Sequence, residues 1–486
     1  MKIEIAGFNV DYEKIKELCE KAGEDINNIT PETISAAYAR ISRRPEEISE
    51  LRKESLKEVE KARKTNETIV YDYGHGSIAE HVVFNIDLIG ISRFAVEWIE
   101  KSRLCSFTEK SQRYVKFEND YYIPEEFDDI EYLPDSQVLK KEYIERVENS
   151  FKLYIEIFDS ILKDLIEKNP NENKIKLENM AKEDARYVLP LCMLTQIGMT
   201  LNARNAEALI RRCLSSEYLE VVRIGEMLFE KISKIAPSLI KHTDISKFKK
   251  ESNNDICDDI ICRIYNEGNI DKILKEKTIE EIKNEFYENK VSLINPLEKL
   301  EYEKLIIYSF HSKLYNAFTI DDYCLNDLFS SYFCDFKKFD DPGREFELVD
   351  FTFEIEMSAT CFAQFKRHRM MTLLSYGYNS DFLRIPVSFN EDMKNKFLEL
   401  VGFDSKHVLE NYLLIFDSPI EDYLLTNAHK RKIIVKVNAR ELYKMANLRL
   451  DEHAQWEIKE VVRKMVDQAK EVAPYVMMMA KGKSEF

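Results

Sequence analysis

Arg367, His368 and Arg369 stand in succession at the end of an apolar run and can hold phosphate oxygens through charge-assisted hydrogen bonds. The same triplet suits a solvated helix end, where cations interact favourably with the dipole. Ser106-Phe107-Thr108-Glu109-Lys110-Ser111-Gln112-Arg113-Tyr114 packs a carboxylate, hydroxyls, a guanidinium and a phenol into one short stretch. Such a loop suits a nucleotide, with Arg113 on phosphate and Ser111 and Glu109 on neighbouring polar atoms. It suits an ordinary surface turn as well. A third run, Asn438 to Arg449, carries Arg440 and Arg449. At about 100° per residue these two point to opposite sides of a straight helix. Either Arg440 precedes the helix, or the two serve different ligands. His453-Ala454-Gln455-Trp456-Glu457-Ile458 follows, and its plain reading is a polar face beside a core stripe.

The elements that must position these groups occur twice. Phe84/Ile86/Leu88 and Phe351/Phe353/Ile355/Met357 alternate with polar residues, the pattern of a half-buried strand. Each then changes to helical spacing and ends in a basic cluster. Glu97 pairs with Gln364 at an offset of 267, and Asn202-Ala203-Arg204 pairs with Asn438-Ala439-Arg440 at an offset of 236. Each Asn-Ala-Arg opens a long amphipathic helix, the second with Ile458, Val461, Val462, Met465 and Ala469 on one face and its end before Pro474. The shortening between motifs corresponds to a Tyr- and Glu-rich helical insert near 125–180. Residues 260–340 read as helical, with Ile307, Phe310, His311 and Leu314 on one face. The spacing predicts a first unit over 1–240, a connection over 241–295 and a second unit over 296–486.

A chain of 486 residues with 44% hydrophobic residues, 28 Phe and 25 Tyr has material for two cores and is not generally disordered. Its net charge of −17 disfavours non-specific contact with nucleic acid or an anionic membrane. No stretch approaches the roughly 18 apolar residues of a membrane span, and the first residues lack the apolar core of a secretory signal. The nine cysteines form no CxxC pair and the eight histidines show no metal spacing with them. Reduced thiols, a cytoplasmic protein and no metal site are expected.

Together the motifs resemble the flavin-dependent thymidylate synthase family, divided between two diverged copies. The first half keeps Glu80-His81, Thr108-Glu109-Lys110-Ser111-Gln112-Arg113-Tyr114 and Ala185-Arg186-Tyr187-Val188-Leu189-Pro190. It has Glu100-Lys101-Ser102-Arg103, with one extra residue, where the family has Arg-His-Arg. The second half keeps Gln364-Phe365-Lys366-Arg367-His368-Arg369, Asn438-Ala439-Arg440, Arg449 and Ala454-Gln455-Trp456-Glu457-Ile458, and lacks the other set. The resemblance implies an α+β fold, two units each with a small antiparallel sheet flanked by long helices.

It also implies one surviving composite site per chain, in a homodimer mimicking the family tetramer. The implied reaction is reductive methylation of dUMP at C5, with methylenetetrahydrofolate as carbon donor, FAD as cofactor and NADPH as hydride source. By match, Arg449 is catalytic and binds the pyrimidine. Glu109, Ser111, Arg113, Arg186, Gln364 and Arg367 bind the nucleotide. Arg367, His368, Arg369, Asn438, Arg440, Lys444, Glu109 and His81 hold FAD. Lys444 stands where the family has an amide, Thr372 replaces a Ser and Thr108 an Asn. Methylation of another uridine-type nucleotide, or a non-catalytic nucleotide-binding or structural role, are the alternatives.

Overall fold

The structure, a computed structural model, describes residues 9, 11–23, 25–26, 29–41, 44–128, 136–241, 243, 287–294, 296–298, 300–310, 322–402 and 420–485. The chain divides into two compact units that interleave along the sequence. The first comprises Met1–Lys110, Tyr122–Ser136 and Leu194–Lys275; the second comprises Ser111–Tyr121, Gln137–Met193 and Glu276–Phe486. The linear division at 240 and 296 thus describes the sequence motifs and remains a proposal. Most of the expected connection lies outside the described residues.

In the first unit, β1 (Val83–Ser92), β2 (Ser106–Glu109) and β3 (Leu194–Asn202) form an antiparallel sheet of order β1-β3-β2. Part of the expected nucleotide loop is therefore strand. The Ser92 hydroxyl accepts from the Ala95 N–H and starts helix Arg93–Glu100. Asn202 caps helix Ala203–Leu214 in the same way, accepting from the Asn205 N–H. Helix Leu219–Ile235 then buries Val221, Ile224, Leu228 and Ile232, the stripe that a 3.6-residue period requires.

The second unit has β4 (Val291–Ile294), β5 (Asp350–Ser358), β6 (Met371–Leu383) and β7 (His429–Asn438), antiparallel and ordered β4-β5-β7-β6. Phe351, Phe353, Ile355 and Met357 are fully buried, as their alternation requires, and share a core with Ile458, Val461, Val462, Met465 and Ala469 of helix Trp456–Val472. The expected insert is helical, over Ser136–Lys168 and Lys174–Ala185. Helices Glu301–Phe310 and Asp322–Tyr332 occupy the later part of 260–340, whereas His311 and Leu314 lie outside the described residues. Both units are α+β.

Each Asn-Ala-Arg opens a helix that is shorter than its pattern suggested. Helix Ala439–Arg449 ends, and a new one begins where the Gln455 side-chain oxygen accepts from the Glu457 and Ile458 N–H groups. That second helix stops at Val472, ahead of Pro474.

The two units repeat one topology in detail. Ala203 N–H donates to Val82 and Ala439 N–H to Val349, both at 2.8 Å. Glu80 pairs with Arg204 at 2.6 Å, and Glu347 with Arg440 at 2.9 Å. Ser92 gives its N–H and hydroxyl to Glu220, as Ser358 does to Glu457. These contacts correct the pairing of Glu97 with Gln364. The extra residue of the first copy is Gly90, bulged out of β1 between Ile89 and Ile91 at φ 70°, a conformation glycine adopts without steric cost. Beyond it the offset drops by one, so Trp98 corresponds to Gln364 and Lys101-Ser102-Arg103 to Arg367-His368-Arg369.

Candidate functional site

Helix Lys174–Ala185 runs into a single tight turn, Arg186–Val188, which leaves Arg186 buried. Its Nε donates to the Glu183 carbonyl at 3.1 Å, while its buried Nη2 has no hydrogen-bond partner among the described residues. Burial depresses the Arg186 pKa, the Arg113 charge adds to the effect, and Glu183 and Asp184 oppose it. The segment beyond is strapped to the residues before β7: Ala428 N–H donates to Tyr187, Asn427 N–H to Leu189, and Leu191 N–H to Leu425. The Asn427 side-chain amide donates to the Arg186 carbonyl at 3.0 Å and to Gln112 Oε1 at 3.1 Å. One buried amide thus fixes both the Ser111–Arg113 turn and Arg186.

In that turn Ser111 Oγ accepts from the Arg113 N–H. Arg113 Nε lies 2.5 Å from Glu183, and its Nη2 donates to the His453 carbonyl at 3.2 Å. On the opposite side Arg449, the last residue of its helix, donates from Nε to His368 Nε2 at 2.9 Å and from Nη2 to the Gln364 carbonyl at 3.1 Å. Burial depresses the Arg449 pKa, and the charges of Arg367 and Arg113 depress it further. Repulsion thus links Arg186 with Arg113, Arg113 with Arg449, and Arg449 with Arg367. Such an assembly has the chemistry of an anion site.

His368 is buried between Arg449 and Glu441, whose Oε1 is 3.4 Å from Nδ1. An arginine Nε–H can only donate, so Nε2 is the bare nitrogen and Nδ1 carries the proton. Burial depresses the His368 pKa, with Arg449 and Lys444 acting in the same direction and Glu441 against them. Arg367 and Arg369 flank it with exposed side chains, and exposed Lys444 is on the nearby helix. The Gln364 amide donates to Thr360 O and Gln455 Oε1, at 3.5 and 3.4 Å.

Other expected residues have other partners. Arg440 lies inside the helix and donates to the Pro342 carbonyl and to Glu347, away from the partners of Arg449, so the helical phase was legible. The Asn438 side chain is the helix cap, accepting from the Glu441 N–H. Glu109 and His81 belong to the first unit. Glu109 Oε1 lies 3.7 Å from Arg93 Nε, and exposed His81 meets the Tyr38 ring edge-on at a 4.6 Å centroid distance. Asn427, Glu183 and Glu441 were not singled out in the sequence; Asn427 and Glu183 carry no motif, Glu441 lies unassigned within the Asn438–Arg449 run, and only the fold brings Asn427 to Gln112. Among the described residues no cluster of His, Cys, Asp and Glu could hold a metal ion, and no helix is long and apolar enough to cross a membrane.

The family model described as thymidylate synthase complementing protein matches residues 26–238 and 338–475, well over half of the chain. The chain belongs to this family. The match falls in two blocks, in keeping with the repeated topology. The flavin-dependent thymidylate synthase of Clostridium tetani is 31% identical over 217 residues, covering 44% of this chain and 82% of its own length. That of Sulfurisphaera tokodaii is 29% identical over 172 residues, covering 35% of this chain and 58% of its own. The UPF0159 protein Ta1429 of Thermoplasma acidophilum aligns over 461 residues at 23% identity, covering 84% of this chain and 86% of its own. Among solved structures, the UMP/dUMP methylase PolB from Streptomyces cacaoi bound with 5-Br dUMP overlays 40% of this chain and 94% of its own, at 15% identity and a TM-score of 0.31, too low to carry an argument.

Proposed function

We propose that this family member is a flavin-dependent thymidylate synthase that methylates dUMP at C5 in one composite site per chain. The observation that carries the reading is the convergence of Arg113 and Arg186, from the first half of the sequence, with Arg367 and Arg449, from the second, inside one compact unit. Glu183 and Asp184 offset part of the repulsion among these guanidiniums, and a bound anion suits the remainder. A nucleotide monophosphate supplies that charge, and the unpartnered Arg186 Nη2 supplies a donor for it.

FAD fits the same neighbourhood. Arg367 and Arg369 present exposed guanidiniums on either side of buried His368, a donor-only set suited to a diphosphate. When bound, FAD supplies the redox chemistry of the methylation, with NADPH as hydride source and methylenetetrahydrofolate as carbon donor. The chain's own residues bind and orient. Arg113, held by Glu183, and Arg186 take the phosphate. Arg449, steadied by His368 and the Gln364 carbonyl, faces the pyrimidine and stabilises negative charge developing at its N3–O4 edge. The chain works in the cytoplasm as a homodimer.

The test is release of tritium from dUMP labelled at C5 by the full chain supplied with FAD, NADPH and methylenetetrahydrofolate. Release that requires all three supports the reading. Release from labelled UMP but not dUMP would move the substrate to a ribonucleotide, and release from neither would overturn the enzymatic reading.

A further inference from the structure

Glu441 lies within the Asn438–Arg449 run but was given no role there, and its carboxylate is buried and faces the imidazole that Arg449 grips. It sits in the first turn of helix Ala439–Arg449, its N–H bound by the Asn438 cap, so its backbone is fixed. His368 lies three residues beyond the end of helix Ala359–Phe365, its N–H donating to the Phe365 carbonyl at 3.1 Å. The result is a chain of carboxylate, imidazole and guanidinium: Glu441 Oε1, His368 Nδ1 and Nε2, Arg449 Nε. Both ring nitrogens are used within the protein, which leaves neither to a ligand in this arrangement.

The first unit shows what happens when the device is dismantled. There Ser102 takes the place of His368 and Asn205 that of Glu441, following the corrected offsets. Arg212, which by the same offset corresponds to Leu448, donates to Ser102 Oγ at 2.7 Å and to the Ile99 carbonyl at 3.4 Å, a side-chain acceptor and a backbone carbonyl as for Arg449 but with the arginine and the carbonyl each displaced by one position. Asn205 no longer addresses this group; its amide donates to the Leu104 carbonyl and to Asn202. Imidazole and carboxylate are thus absent together in the copy that also lacks the Arg-His-Arg triplet.

We infer that Glu441 is a positioning residue for Arg449, acting through His368. Its carboxylate accepts the Nδ1–H hydrogen bond, which sets the ring plane and keeps Nε2 turned to the guanidinium. This role rests on the proposed function only in what Arg449 then touches. The charged groups facing the ring are Glu441, Lys444 and Arg449, all from one helix. Protonation of Nε2 would set two donors against each other and eject Arg449, so acid should release the arginine. Removing the Glu441 charge leaves the ring harder to protonate, so that release should move to lower pH.

The experiment compares the full chain with Glu441→Gln, Glu441→Leu and His368→Gln, whose folding is checked by circular dichroism. Nitrogen NMR on histidine- and arginine-labelled protein, without any ligand, reads the His368 tautomer and the exchange of the Arg449 Nε–H. The native chain should show a protonated Nδ1, a bare Nε2 and a slowly exchanging Nε–H. Exchange should quicken at least tenfold in Glu441→Leu, and the acid pH at which the Nε–H is lost should fall in Glu441→Gln. Dissociation constants for dUMP should rise roughly tenfold in Glu441→Gln, whereas adding that change to His368→Gln, which has no Nδ1 proton, should cost nothing more. A protonated Nε2, or unchanged Arg449 exchange in both Glu441 variants, would overturn the inference. If native protein shows the predicted NMR signature but binds no dUMP, the functional reading falls and the positioning role stands.

Discussion

The Tyr187 hydroxyl donates to Glu457 Oε2 across 2.5 Å, joining residues 270 positions apart in the chain. The same carboxylate accepts the N–H and hydroxyl of Ser358, and the Tyr187 oxygen accepts from the Gln455 amide at 2.9 Å. All four groups are buried. One carboxylate with no cation beside it in these contacts is satisfied by three donors, and it binds a segment of the first sequence half into the core built by the second.

Tyr187→Phe removes one of those donors and leaves the other two in place. Stability should fall by about 1.5 kcal/mol, read as a lower denaturation midpoint at an unchanged slope. An unchanged midpoint would mean that the strap does not depend on this bond.

Arg113 belongs to the motifs of the first half of the sequence and Arg367 to those of the second, but both lie in one compact unit. Arg113→Ala and Arg367→Ala should each weaken dUMP binding roughly 10- to 100-fold. Mixing the two variants should restore nothing, because both defects affect a site made within one chain. Recovery on mixing would show that halves of different chains meet.

Much of this was open to sequence reasoning, and the physical reasons mark its limit. Period-two alternation identified β1 and β5 because a one-sided sheet buries every second residue. The phase of Arg440 against Arg449 followed from helix geometry alone. The Gly90 bulge was invisible as such and appeared only as one surplus residue, assigned to the wrong place, since a bulge is defined by the partner strand. Packing of 111–121 and 137–193 with the second unit was not predicted, because chain order says little about long-range partners. The family resemblance named Arg113, Arg186, Arg367 and Arg449, but Asn427 and Glu441 act through geometry that no local spacing encodes.

Arg449→Lys keeps a charge but loses the fixed fork that donates to His368 and the Gln364 carbonyl together. Turnover of dUMP should fall roughly 100- to 1,000-fold while bound FAD is retained. Full turnover in Arg449→Lys would remove Arg449 from its catalytic role.

His429 makes acid stability a further test. Its ring is fully buried, with Nδ1 accepting from the Thr426 N–H at 2.8 Å, and burial, aided by the Arg146 charge, pushes its pKa down to about 3. The unfolded chain takes up this proton below roughly pH 6.5 and the folded chain does not, so the unfolded state binds more protons. Stability from this group is complete above that pH and drains away as pH falls towards about 3. His429→Gln should flatten the slope of stability against pH between 6 and 4 by about 1.4 kcal/mol per unit, measured by urea unfolding at stepped pH. An unaltered slope would contradict a neutral buried ring.

The central claim is one composite site per chain, and counting bound flavin tests it most directly. Purified protein is saturated with FAD, freed of excess, and its flavin absorbance compared with chain concentration. The account predicts about one FAD per chain, lost in Arg367→Ala. Two per chain would mean that the first unit, with Lys101-Ser102-Arg103 in place of Arg-His-Arg, still binds flavin; none would contradict the flavoenzyme itself.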